Sequence, residues 1–272
     1  MARQRNRPPG NPGAPAAREA MHYLAIVLGI SVVLATVFTA WTPASLRPGE
    51  LAEGLIALVQ GQAAQPSTPE PVIAPGGEGV RIGIVAGHAG INPDTGLLDP
   101  GSQCPDGLTE AEVNLSIAGL VVDRLEALGF AVDLLEEFDP RLVQYRAAAL
   151  VSIHADTCAW INEYATGFKV SGAVDTAIPA RTQRLVDCLA DRYGRASGLY
   201  FLLGSITRDM TEYHTFREIH TQTPAAIIET GYLNLDRLFL TEQPDRAAQG
   251  IVDGLFCYIY NEPATLPGMS GP

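Results

Sequence analysis

Residues 81–90 read RIGIVAGHAG, a short apolar run from Ile82 to Ala86 that stops at Gly87 and delivers His88. A continuous apolar run bounded by glycine is how a buried strand of a parallel sheet reads. Ligands of open α/β sheets bind outside the carboxyl ends of such strands, so His88 stands where chemistry usually sits. A lone histidine there reads most simply as a loop residue with a structural hydrogen bond. Two further runs change that reading. ALVSI at 149–153 delivers His154 and then Asp156, and AAII at 225–228, after Pro224, delivers Glu229 and then Gly231. Three strand-like segments thus end in metal-ligand or acid–base residue types, and neighbouring strand ends converge however distant they are in sequence.

Around these runs, strand-like and helix-like patterns alternate: strands at 81–86, 130–135, 149–153, 166–171 and 224–229, and helices at 110–128, 180–195 and 244–260. Such alternation predicts an α/β fold whose mostly parallel sheet is covered by helices on both faces. The first helix separates two acids. Thr109 and Glu112 have the spacing of a capping box, in which the third helical residue reaches back to the cap's own N–H. Val113, Ile117, Leu120, Val121, Leu125 and Leu128 follow as one apolar stripe, and Gly129 marks the stop. Glu112 is therefore occupied by the cap, whereas Glu110 is free to point elsewhere.

The 272-residue chain is 47% hydrophobic, and the apolar excess is concentrated in one place. Residues 22–41, HYLAIVLGISVVLATVFTAW, contain no Asp, Glu, Lys or Arg over about the length that spans a bilayer. Four arginines precede this run, so the positive-inside rule predicts a cytoplasmic tail at 1–20 and an extracytoplasmic remainder. The cleavage site of a signal peptide is poorly matched at 38–40, which favours an uncleaved single-pass membrane anchor. A Pro/Gly-rich linker with a short helical pattern at 51–60 fills 42–79; the folded domain is placed at 80–262, and a disordered tail at 263–272. A net charge of −12 argues against nucleic-acid binding, which needs clustered Lys and Arg.

Two histidines, one glutamate and an open position for water form a common ligand set for catalytic zinc. His88, Glu110 and His154 fit the ligand roles, and Glu229 fits a proton shuttle just outside the ligand sphere. The helical H-E-x-x-H arrangement is absent. His214 and His220 lie in a polar stretch, 211–223, and read as surface or satisfied histidines that are weaker candidates for a fourth ligand.

GHAG at 87–90, LTEAEVNLSIA at 108–118, VSIHAD at 151–156 and IIETGYL at 227–233 occur in that order. Together they resemble the zinc-dependent N-acetylmuramoyl-L-alanine amidases of bacterial cell-wall turnover. The resemblance implies zinc on His88, Glu110 and His154 and a catalytic Glu229. The substrate it implies is peptidoglycan or muropeptides, cut between the lactyl group of N-acetylmuramic acid and L-alanine. Three departures stand out: Val85 and Ala86 replace an acid near the end of the first strand, with Ala89 in place of a glycine; Asp156 stands where Asn is usual; and the segment at 141–151 is short. The rival expectations are a zinc peptidase of another specificity and a non-catalytic module that binds wall peptide.

All four cysteines follow the apolar run, in a compartment where disulfides persist. Cys104 precedes Glu110 by six residues and Cys158 follows His154 by four. If the two ligands share an ion, both cysteines lie on loops over one face of the sheet, which predicts a Cys104–Cys158 bridge. Cys188 and Cys257 fall in helical patterns and are expected as separate buried thiols.

Overall fold

The computed structural model describes residues 79–266. The basic tail (1–20), the apolar span (22–41) and all but the last residue of the linker (42–79) lie outside the described residues. Among the described residues, no helix is long and apolar enough to cross a membrane.

The elements in chain order are β1 (Arg81–Ala86), β2 (Ile91–Asn92), β3 (Leu97–Leu98), α1 (Glu110–Ala127), β4 (Ala131–Glu136), β5 (Ala149–Asp156), β6 (Lys169–Gly172), α2 (Pro179–Ser197), α3 (Arg208–Thr211), α4 (Thr215–Glu218), β7 (Ala225–Tyr232), α5 (Arg237–Glu242) and α6 (Pro244–Ile259). Five strands form one sheet in the order β4-β1-β5-β7-β6. All its pairings are parallel except β6 with β7. The small β2–β3 ribbon stands apart.

Side chains alternate across the sheet with a period of two, and this alternation assigns each residue a face. Ile82, Ile84, Val151, Ile153, Ala226 and Ile228 point to one side, into the main core with Val113, Ile117 and Val121 of α1, Leu185 and Leu189 of α2, and Ile251 and Leu255 of α6. The other face carries Val85, Leu150 and Ala225, which meet Leu142, Tyr145 and Ile219 in a smaller core. Ile227 on that face packs with Met210 and Tyr213.

The expectation of helices on both faces is met in part. The three long helices lie on one face. The other is covered by a three-residue 3-10 turn at Pro140–Leu142, by loop, and by the four-residue helices α3 and α4. The link from β4 to β5 spans only 137–148, too few residues for a full crossover helix. Residues 263–266, assigned from the sequence to a disordered tail, run along the main core, where Ala264 and Leu266 pack against it.

The Cys104–Cys158 bridge is present, with its Cα atoms 5.3 Å apart. The expectation of free thiols at Cys188 and Cys257 is corrected: they form a second disulfide between α2 and α6, with Cα atoms 5.5 Å apart. The reason lies in helix packing. Gly250 and Gly254 on α6 face the backbone of α2, where a Cβ would lie 2.9 Å from the Cα atoms of Tyr193 and Leu189 respectively. That approach brings Cys257, one turn on, within bridging reach of Cys188.

Two bridges leave no free cysteine among the described residues. Thiol titration of the denatured, unreduced chain is therefore expected to find no reactive thiol, where the free-thiol reading expects two. Replacing Cys188 and Cys257 by alanine should cost about 2–4 kcal/mol of stability in denaturant unfolding.

Candidate active site

The site forms on the face that carries the short helices, at the carboxyl ends of β1, β5 and β7. His154 and Glu229 are register partners on adjacent parallel strands, so their side chains leave the sheet on the same side. His88 arrives from the turn after β1, where Gly87 N–H still donates to the Ile153 carbonyl at 2.9 Å. Gly87 lies against the His154 imidazole, which a Cβ at that position would overlap.

Glu110 comes from the first position of α1, and the capping box explains why it is available. Thr109 Oγ1 accepts from Glu112 N–H at 3.2 Å, and Glu112 Oε2 accepts from Thr109 N–H at 2.9 Å. Glu110 turns the other way and is only 6% exposed. Its Oε2 accepts from Ser102 N–H at 3.0 Å, and its Oε1 accepts from Asn114 Nδ2 and Ala155 N–H, each at 3.3 Å. Glu110 Oε1 lies 3.3 Å from His154 Nδ1 and 3.5 Å from His88 Nε2.

These three residues offer donors that lie within 4.8 Å of one another. Tetrahedral donors at about 2.0–2.1 Å from zinc stand about 3.3–3.4 Å apart, and the two Glu110–histidine distances match that spacing. The electrostatics point the same way. Burial pulls the His154 imidazole down, but the hydrogen bond with Glu110 and the carboxylates of Glu229, Glu137 and Glu110 outweigh it and raise the group to about 9. The carboxylates around His154 thus favour positive charge at this point, which a divalent cation can supply once the histidine has released its proton.

Glu229 lines the same cleft of about 440 Å³. Its Oε2 is buried and has no hydrogen-bond partner. Desolvation raises its carboxyl to about 7, helped by the charges of Asp156 and Glu110 and opposed by those of His154 and Lys169. Asp156, also in the cleft, is ion-paired with the buried Lys169 of β6.

His214 lies in the cleft but outside the donor set; its ring stacks on Phe138 with centroids 4.7 Å apart. His220 is elsewhere, its Nδ1 accepting from Gln222 N–H in a turn. Sequence reasoning missed Glu137, Asp99 and Tyr213. Asp99 Oδ2 lies 3.2 Å from His88 Nδ1, and Tyr213 OH lies 3.4 Å from His154 Nε2. Glu137 follows β4 directly, at the same end of the sheet as the other strand-end residues, but β4 lacks the continuous apolar run that marked the others.

A mostly parallel sheet here gathers His, Glu, His and a second carboxylate at its strand ends, a donor set that could hold a divalent ion. The chain belongs to the N-acetylmuramoyl-L-alanine amidase family, which matches it over residues 82–256. It is 30% identical over 204 residues to N-acetylmuramoyl-L-alanine amidase AmiC of Neisseria meningitidis serogroup B, across 70% of this chain and 47% of that protein. The chain thus spans about half the length of that relative. Its fold is similar to that of Ami1, the N-acetylmuramyl-L-alanine amidase of Mycobacterium smegmatis, at a TM-score of 0.53, 20% identity and coverage of 68% of this chain and 98% of that one. It is also similar to the CwlD amidase of Clostridioides difficile, solved in complex with the GerS lipoprotein, at a TM-score of 0.52, 21% identity and coverage of 66% and 98%. At these identities the two structures establish likeness of fold.

The raised Glu229 carboxyl gives a pH signature in metal-free protein. A carboxyl whose folded pKa lies above its unfolded value contributes stability below the unfolded pKa and loses it as pH rises through the folded one. Here that window runs from the ordinary carboxyl value of 4.5 to about 7. In chelator, Glu229→Gln should melt with wild type near pH 4 and above it at pH 8. A melting difference that does not change with pH would contradict the desolvated placement of Glu229.

Proposed function

We propose that the domain hydrolyses the amide bond between N-acetylmuramic acid and L-alanine in peptidoglycan, with zinc held by His88, Glu110 and His154. The observation that carries this reading is the pairing of His154 with Glu229 across adjacent strand ends, beside a cap-exempt Glu110. Zinc held there would supply a Lewis acid for the scissile carbonyl and for a water. The chain's own contribution is Glu229, which is placed to take the attacking water's proton and return it to the leaving nitrogen. Burial works against the Glu110 charge, but the His154 and His88 imidazoles and the Ser102 N–H outweigh it and hold the carboxyl below its ordinary range.

The proposed location is outside the cytoplasmic membrane, on a single-pass anchor at 22–41. The apolar run in the sequence and the two disulfides support it.

The full chain, loaded with zinc and given peptidoglycan fragments, is expected to release a free lactyl-linked glycan end and a new L-alanine amino terminus, both read by mass. Glu229→Gln should keep its zinc and lose about 10²–10⁴-fold in turnover. Near-normal hydrolysis by that variant would move the shuttle role to another group. No product from any stem peptide would favour a wall-binding module, and cleavage at another amide would favour a peptidase.

A further inference from the structure

Glu137 is 5% exposed and touches both walls of the cleft. Its backbone N–H donates to the Ala89 carbonyl at 3.1 Å, while its side-chain Oε2 accepts from the His88 N–H. The same Oε2 lies 3.6 Å from His88 Nδ1. The other carboxylate oxygen, Oε1, accepts from Tyr213 OH at 3.3 Å and lies 3.3 Å from His214 Nε2. Tyr213 in turn accepts from Ser152 Oγ at 3.1 Å, so the chain of contacts returns to the sheet.

The turn that Glu137 grips needs a grip. His88 has φ 60, a left-handed conformation that side-chain-bearing residues rarely adopt. β1 ends two residues earlier, at Ala86. Two hydrogen bonds from one residue, one on each side of the His88–Ala89 peptide unit, fix the direction in which the imidazole leaves the backbone. Asp99, a third carboxylate at His88, meets the ring with its side chain, comes from the loop after the β2–β3 ribbon, and bonds the backbone only further on, where its N–H donates to the Gly90 carbonyl at 3.0 Å.

We propose that Glu137 is a positioning residue: by clamping the left-handed His88 turn from the neighbouring strand end, it aims His88 Nε2 at the point where Glu110 and His154 converge. The proposal rests on the reading of those three residues as zinc ligands. Glu137 itself does not join them. Its oxygens are spent on the His88 N–H, the Tyr213 hydroxyl and the His214 ring. The clamp requires an acceptor at both ends of the side chain, which a carboxylate offers and an amide does not. Glutamine keeps the shape, but with its oxygen on the His88 N–H its NH₂ faces the Tyr213 hydroxyl, which already accepts from Ser152 and loses the acceptor for its own proton.

The test is zinc affinity of the full chain, measured by competition with a chelating dye for wild type, Glu137→Gln and Glu137→Asp, alongside melting of each protein in excess chelator. Outer partners of metal ligands typically contribute 10–100-fold to affinity. Glu137→Gln is expected to bind zinc about 10–100-fold more weakly while its metal-free form keeps the wild-type circular dichroism. Aspartate, which keeps the charge and both acceptors but withdraws them by one methylene, should fall between the two. A folded Glu137→Gln that binds zinc as tightly as wild type overturns the proposal. If Glu137→Gln does not fold, Glu137→Asp decides, and wild-type affinity in that variant overturns it. Wild type that takes up no zinc overturns the shared premise, and this proposal with it.

Discussion

A carboxylate taken out of water has to be met by donors or a cation, and the way Glu110 is met organises this cleft. The loop before α1 supplies the Ser102 N–H, β5 supplies the Ala155 N–H, and α1 supplies Asn114 one turn on. The two histidines close in from the ends of β1 and β5. One buried oxygen pair therefore ties three separate chain segments to one point. The Cys104–Cys158 bridge reinforces the tie, since it joins the loop that holds Ser102 to the loop that follows His154. Cys158 N–H also donates to Ser102 Oγ at 3.0 Å, so the covalent link and the hydrogen bonds converge on the same loop pair.

The capping box is the local device that makes this arrangement available. Two acids lie two positions apart at a helix start, where both are favoured by the helix dipole. Thr109 claims Glu112, and the helix then presents Glu110 on its inner side. Without a cap partner at 112, both acids would compete for the same terminal N–H groups. The arrangement divides a structural role and a ligand role between neighbours that look alike in composition.

Much of this was legible in the sequence because it rests on local rules. Apolar runs stopped by glycine or followed by a polar residue gave β1, β5 and β7 and with them His88, His154 and Glu229. The T-x-x-E spacing separated Glu110 from Glu112, and shared ligation placed Cys104 near Cys158. The missed features depend on distances that no local pattern encodes. β4 lies at the sheet edge, is mostly exposed or half-buried and reads AVDLLE, with two acids among its six residues, so the acid following it carried no signal of burial. The second disulfide depends on how closely α2 and α6 cross, and the clue was the Gly250, Gly254, Cys257 series along one side of α6. The cover over the face that carries the cleft comes from short turns with no helical period to read. That thin cover leaves Tyr213 and His214 beside the His–Glu–His cluster, where Glu137 ties them to His88.

If Glu110 holds the metal while Glu112, two residues on, holds the helix cap, the two acids answer differently to the same substitution. Metal analysis of purified wild type, Glu110→Gln and Glu112→Gln, each exposed to zinc and desalted, separates them directly. One zinc per chain is expected in wild type and in Glu112→Gln, with none retained by Glu110→Gln. Full occupancy in Glu110→Gln, or zinc lost from a folded Glu112→Gln, would contradict that division of roles.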